Sequence, residues 1–194
     1  MRARFARADG RDLGWRIERW FGHPAPEELA ALSRAVPPVL DVGCGPGRHV
    51  LALARLGVMA LGVDVAPTAV YVARGRGAPV LQRSVFERVP GAGRWGSALL
   101  LDGNIGIGGE PETLLDRIAE LLKAGGRCLA EVDPPGTASE RISVRVETEA
   151  GATASIPWAI VGAGDLDAVG RRAGFVLDDL WNSAGRWFGC LVSM

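Results

Sequence analysis

The sequence predicts an α/β fold, a doubly wound and mostly parallel sheet of seven strands with helices on both faces. Three observations carry this. From Pro37 to Asp133 short apolar runs alternate with longer segments of helical periodicity, the pattern of parallel strands joined by crossover helices. The helical segments open at proline and close at glycine, as at Pro46 and Gly57 or Pro111 and Gly125. After Asp133 the pattern changes to alternating polar and apolar residues, which marks strands with one face in water.

With 194 residues, 48% of them apolar, the chain can bury one sizeable core, and its length favours a single domain over 1–194. Within it, 1–36 is expected to be an N-terminal helical cover, 37–133 the ligand-binding core, 138–161 an inserted β-hairpin and 164–194 a C-terminal helix with the last strands. In the cover, "DLGWRIERWFGHPAPEELAALSRAV" reads as one or two amphipathic helices carrying Trp15, Trp20 and Phe21. "PPVLDV" is the first strand, with prolines at its entry where they interrupt no ladder. The helix "PGRHVLALARLG" puts Val50, Leu51, Leu53, Ala54 and Leu56 near one face. "VMALGVD" is the second strand, "PTAVYVARGRG" the second helix, "APVLQR" the third strand and "WGSALLL" the fourth.

"EPETLLDRIAELLKAGG" is the clearest helix, because Leu114, Leu115, Ile118, Leu121 and Leu122 recur at helical spacing before Gly125 and Gly126 end it. "RCLAEVD" is the fifth strand. "RISVRVETEAGATASIPWAIV" then reads as two antiparallel strands joined by a tight connection, a hairpin inserted after strand five. The helix "GDLDAVGRRAG" and the strands "FVLDDLW" and "RWFGCLVSM" complete the seven-stranded sheet.

Acidic and basic residues balance at 22 each, so nucleic acid and membrane surfaces are not expected partners. The start, "RARFARADGRDLGWRIERWF", is charged throughout, and no stretch approaches the length of a membrane span, so a cytoplasmic location is expected. Lys123 is the only lysine, which reads as compositional bias toward arginine rather than an arginine-lined anion site. Cys44, Cys128 and Cys190 are odd in number and sit in apolar or glycine-rich segments, as reduced core residues do. His23 and His49 are far from them in sequence, so no metal-ligand spacing appears.

The chemistry concentrates in "DVGCGPG", Asp41–Gly47, at the carboxyl end of the first strand, where open parallel sheets hold their ligands. A pyrophosphate turn is written G-x-G-x-x-G and offers backbone amides to two phosphates. Here Gly43, Gly45 and Gly47 bring the third glycine one residue early, and Pro46 removes an amide donor. Asp41 adds a carboxylate that would repel phosphate and attract an ammonium group. A ligand with a cationic amino-acid end and a nucleoside fits better, and Pro46 and Arg48 disfavour a nicotinamide-dependent oxidoreductase.

This turn resembles motif I of the class I S-adenosylmethionine-dependent methyltransferases, an acidic residue followed by G-x-G-x-G. The resemblance is specific from Val39 to Asp64 and looser to about Asp133. It implies a Rossmann-like fold, S-adenosylmethionine as cofactor and methyl transfer, here to a small-molecule acceptor. A catalytically silent cofactor-binding subunit that supports a partner is the alternative reading. The resemblance implies that Asp41, Gly43, Cys44, Gly45 and Gly47 hold the cofactor at the turn and that Asp64, with Val65 beside it, binds the ribose hydroxyls. Ser84 and Val85 stand near the adenine, where the family often has an acidic residue, and Asp102 and Asn104 reach the site after the fourth strand. Both of these residue types also shape turns.

A sulfonium methyl is already activated, so the protein must mainly align a nucleophile and exclude water, and no catalytic residue is demanded. Where the acceptor needs a base, His49, Asp102, Glu110 and Asp133 are the candidates. His49 reads equally as a structural imidazole inside its helix. Metal-assisted transfer is not expected, because no acidic residue with an adjacent asparagine occurs around "EVDPPG". Trp15 and Trp20 from the N-terminal segment, and Arg141 and Trp158 from the hairpin, with Arg145 near them, are the candidates for the acceptor pocket.

Overall fold

The computed structural model describes residues 3–10, 13, 15, 17–148 and 151–194. In chain order the elements begin with β1 (Ala3–Arg7), a short 3-10 helix (Ile17–Phe21) and α1 (Pro26–Leu32). The core follows: β2 (Val39–Val42), α2 (Arg48–Arg55), β3 (Ala60–Asp64), α3 (Pro67–Gly75), β4 (Val80–Gln82) and β5 (Trp95–Leu100). A second 3-10 segment (Asn104–Gly109) leads into α4 (Pro111–Leu121) and β6 (Leu122–Val132). The chain ends with β7 (Glu140–Thr148), β8 (Gly151–Ala152), β9 (Ile156–Ile160), α5 (Leu166–Arg172), β10 (Phe175–Ser183) and β11 (Arg186–Ser193).

Seven strands form the main sheet in the order β10-β11-β6-β5-β2-β3-β4, parallel from β6 to β4, with β11 antiparallel to both its neighbours. β2 and β5 are buried at every position, as strands covered on both faces must be. On one face Leu114, Leu115 and Ile118 of α4 and Leu166 of α5 pack on Leu40, Leu100 and Ala130. On the other, Leu32 of α1 and Leu53 of α2 pack on Val39, Leu99, Leu129 and Phe188. Each large side chain so buried contributes about 1.5–3 kcal/mol on leaving water. The three cysteines are buried and free.

The chain leaves β2 toward β3 and β4 and returns to β5 on β2's other side. The crevice between the carboxyl ends of β2 and β5 is therefore the switch point of the sheet, where a ligand finds backbone groups free of the ladder. A separate small sheet stands at this end: β7 pairs antiparallel with β1 on one side and with β8 and β9 on the other. β9 lies over the segment that follows β5, so closely that a Cβ on Gly106 would fall 2.0 Å from the Ala159 carbonyl oxygen.

The structure departs from the sequence pattern in three places. The N-terminal segment, expected to be a helical cover with one or two helices, begins as strand β1, because β7 presents an open edge that Ala3–Arg7 completes. Its helical part shrinks to one 3-10 turn and the two turns of α1. The helix expected to run to Gly125 stops at Leu121. Leu122 is already extended and pairs with Trp95, while Ser97 pairs with Arg127, so Lys123–Gly126 form a bulge at the start of β6. Finally, α2 buries Arg48 and His49 as well as Val50 and Leu53, whereas Leu56 is exposed.

Candidate active site

The glycine turn is held from three directions. Its Gly43 and Cys44 N–H groups donate to the Val63 carbonyl at 2.9 and 3.1 Å. The Gly45 N–H donates to Asp64 Oδ2 at 2.8 Å, while Asp64 Oδ1 accepts the Ala66 N–H at 2.8 Å, so one carboxylate ties the turn to the start of α3. From across the switch point, Asn104 Nδ2 donates to the Val42 and Gly43 carbonyls at 2.8 and 3.0 Å. Burial raises the Asp64 carboxyl above its ordinary value, and the amide donors partly offset this.

The three glycines have positive φ, at 69°, 53° and 82°, but different surroundings. A Cβ on Gly43 would lie 2.7 Å from Asn104 Nδ2, and one on Gly47 would lie 2.8 Å from the Ala78 Cβ. One on Gly45 would meet nothing within 4 Å. Gly45 is thus the place where the turn lies open to a ligand. Cys44 points the other way, its sulfur packed where Gly62 has no side chain, so only its backbone belongs to the turn. Burial, reinforced by the charges of Asp41 and Asp64, pushes its thiol far above the ordinary range and leaves it inert.

Beneath the turn lies a buried charged network that no local pattern announces. Glu28 of α1 is fully buried, accepts a hydrogen bond from Arg48 Nη1 at 2.9 Å and forms an ion pair with Arg186 Nη1 at 2.8 Å. Arg48 also bonds Asp102. Arg186 reaches across to Asp102 at 3.4 Å and to Glu131 at 2.6 Å, and Glu131 in turn accepts the Asp102 N–H at 2.7 Å. His49 completes the set with Nδ1 3.8 Å from Asp41 and Nε2 3.8 Å from Glu28, distances at which the carboxylates act on the ring by charge. Burial would lower its pKa, but the two carboxylates prevail and raise it to about 9, so the ring is cationic at neutral pH.

Four expectations are corrected by this network. Asp41, expected to meet a ligand's ammonium group, is 1% exposed and faces His49. His49 is buried and protonated and cannot serve as a base. Asp102 has both carboxylate oxygens engaged by arginines. Arginine is not merely a compositional habit here, since Arg48 and Arg186 are shared among the acids Glu28, Asp102 and Glu131. Ligand-type atoms of Glu28, His49 and Asp102 lie within 4.8 Å of one another, but the two acids already have guanidinium partners in place of a metal ion.

Above β5 and β6, Trp15, Trp20 and Trp158 come together with Phe5 of β1. Phe5 meets Trp15 at 5.7 Å and Trp20 at 5.3 Å between ring centroids, and Trp15 meets Trp158 edge to face at 5.6 Å. Trp15 lies over Gly103 and Trp158 over Gly106. Arg141 is not among them: it is exposed and paired with Glu110 at 2.6 Å, which also removes Glu110 as a candidate base. Arg145 is paired with Glu147 at 2.8 Å.

On the opposite side of the turn, Val65 is exposed after β3. Ser84 closes its own turn, its Oγ accepting the Phe86 N–H at 3.3 Å, and the Val85 side chain is buried. Phe86, unremarked in the sequence, lies partly exposed against Gly108. It stands between Val85 and Glu87 in a short connection that has no helical or strand periodicity to mark it.

Residues 39–126 match the family model described as "Methyltransferase domain". No curated protein matches the sequence. Among solved structures, a SAM-dependent methyltransferase from Bacteroides fragilis, in complex with S-adenosyl-L-homocysteine, aligns with a TM-score of 0.84 at 22% identity, over 100% of this chain and 89% of that one. The sugar N-methyltransferase of a Streptoalloteichus species aligns at 0.66 and 19% identity over 95% of each chain. A SAM-bound amino pentose methyltransferase from Micromonospora echinaspora, involved in calicheamicin biosynthesis, aligns at 0.63 and 18% identity over 95% of this chain and 99% of that one. Likeness at these identities is likeness of fold.

Proposed function

We propose that this chain, a class I S-adenosylmethionine-dependent methyltransferase by the family of its core segment and by its fold, methylates a small organic molecule held over the carboxyl ends of β5 and β6. The observation that carries this reading is Gly45: the one motif glycine with open space at its Cβ, in a turn fixed by Asp64 at the switch point.

The residues present fit the cofactor. Gly45 would admit its methionine part at backbone contact, and Asp64 keeps acceptor capacity for the ribose beyond its two amide donors. Val65 and Phe86 offer apolar surfaces for the adenine, in place of an acidic residue after the third parallel strand. S-adenosylmethionine brings a methyl group already activated for attack. The chain's own part is to align the acceptor and keep water out, for which β1, β9 and their tryptophans supply cover. A small acceptor suits the balanced charge of 22 acids and 22 bases, and two of the structural neighbours are named as acting on sugars. No helix among the described residues is long and apolar enough to cross a membrane.

Calorimetry with S-adenosylhomocysteine and, separately, with NAD tests the cofactor. Binding of the former is expected, and binding of NAD alone would overturn the reading. Labelled S-adenosylmethionine with a small-molecule extract then tests transfer: cofactor binding without any labelled product would favour the catalytically silent subunit.

A further inference from the structure

We infer that Asp133 is the proton acceptor of the transfer and that the acceptor molecule it serves is an amine. This rests on the methyltransferase reading above and concerns the same site.

The acids around the switch point have partners within the protein. Asp41 faces His49, Asp64 holds two amides, Asp102 and Glu131 share Arg48 and Arg186, and Glu110 is paired with Arg141. The Asp133 carboxylate, half-buried, has neither a hydrogen bond nor an ion pair among the described residues. Its backbone is fixed on both sides, the N–H donating to the Val161 carbonyl at 2.9 Å and its own carbonyl accepting the Ala163 N–H at 2.8 Å. The side chain is therefore presented from a rigid support.

Its position is at the carboxyl end of β6. Leu100 pairs with Ala130, so Asp133 stands as many residues beyond that pair as Gly103 does, and Gly103 is the residue that Trp15 covers. A half-buried carboxylate without a partner is costly unless a cation completes it. Indole faces, here Trp15 and Trp158, also attract cations. A protonated amine answers both features. An alcohol answers neither, and holds its proton far too tightly for a carboxylate to draw it off. Burial and the neighbouring charge of Glu131 raise the Asp133 carboxyl above its ordinary value, which brings it closer to an ammonium group's and eases proton transfer.

In the step, a proton of the substrate ammonium passes to an Asp133 carboxylate oxygen and frees the nitrogen lone pair. That pair forms the new nitrogen–carbon bond to the sulfonium methyl as the carbon–sulfur bond breaks, its electrons staying on sulfur. Sulfur becomes a neutral thioether, nitrogen carries the positive charge, and Asp133 later gives its proton to water.

The test uses the full chain saturated with S-adenosylhomocysteine and pairs of small amines and hydroxyl compounds built on the same carbon skeletons, with binding read by ligand-observed NMR. The wild-type protein should prefer the amine of a pair by about tenfold or more, the worth of one charge-assisted contact. Asp133→Asn, which keeps shape but loses charge, should bind S-adenosylhomocysteine as before and lose the preference, and Asp133→Glu should recover part of it. Equal binding of amines and hydroxyl compounds, no amine binding, or an undiminished preference in Asp133→Asn overturns the inference. Failure of the wild-type protein to bind S-adenosylhomocysteine would instead retire the methyltransferase reading itself.

Discussion

The Gly45 N–H and the Asp64 carboxylate meet at 2.8 Å, so the residue assigned to the ribose is also a strut of the glycine turn. Asp64→Ala should therefore act twice. It leaves the Gly45 and Ala66 amides without their acceptor, at about 1.5–3 kcal/mol for each bond to a charged group. It should also weaken S-adenosylhomocysteine binding by roughly 2 kcal/mol or more, about thirtyfold. Asp64→Asn keeps one acceptor oxygen and should restore more stability than affinity. Denaturant unfolding and calorimetry on both variants measure the two effects, and full affinity in Asp64→Ala would remove Asp64 from the ligand.

The three motif glycines should separate. Gly43→Ala and Gly47→Ala place a methyl group 2.7 Å from Asn104 Nδ2 and 2.8 Å from the Ala78 Cβ, and both should lose stability. Gly45→Ala meets no protein atom and carries mainly the cost of a non-glycine residue at φ 53°, about 1–2 kcal/mol. A larger side chain, Gly45→Val, should leave the protein folded and abolish cofactor binding. Thermal unfolding with and without S-adenosylhomocysteine distinguishes these cases, and a Gly45→Val protein still stabilised by the ligand would place the ligand elsewhere.

His49 makes stability depend on pH from the alkaline side. Its folded pKa, about 9, lies above the ordinary 6.5, so its contribution is complete below pH 6.5 and is lost as pH rises through 9. The amount is on the order of 3 kcal/mol. Glu28 works in the opposite sense: burial would raise its carboxyl, but His49, Arg48 and Arg186 hold it well below the usual range, so its share is complete above the ordinary 4.5 and is lost progressively as pH falls below it. Urea unfolding from pH 6 to pH 10 should show the decline in the wild type, and His49→Gln should flatten it. An equal slope in both proteins would mean that another group titrates.

The order of strands and helices was legible because each element carries its own local signal, such as the leucine repeat of α4 or the all-apolar β5. The turn was legible because its chemistry is contiguous from Asp41 to Gly47. The charged network was not, since Glu28, Arg48, Glu131 and Arg186 are distant in sequence and each alone reads as a solvated residue. This is why Asp41, His49 and Asp102 looked available to a ligand. Only the fold shows that their charges answer one another. The end of α4 was misread because Leu122 continues the helical repeat while its partner, Trp95, is supplied by another strand.

The N-terminal segment offers a test of the acceptor's place. Phe5, Trp15 and Trp20 lie within residues 1–22; Phe5 packs on both tryptophans, and Trp15 covers Gly103 and meets Trp158 of β9, which lies over Gly106, whereas a Cβ on Gly45 would meet nothing within 4 Å. Glu28, which anchors α1 through Arg48 and Arg186, lies outside the segment, so deleting the segment takes away the 3.9 Å Arg19 contact to Glu28 but leaves both of these arginines in place. Deleting residues 1–22 should therefore preserve S-adenosylhomocysteine affinity within a few-fold and eliminate transfer, because water and solute would enter over β5 and β6. The deletion also bares the edge of β7, which could lower solubility. Trp15→Ala retains β1 and separates the ring's role from the strand's: it should leave cofactor binding alone and reduce transfer, mainly through a raised acceptor KM. Calorimetry with S-adenosylhomocysteine and the rate of label transfer check both proteins. Full-rate transfer in the deletion would put the acceptor on another side of the sheet.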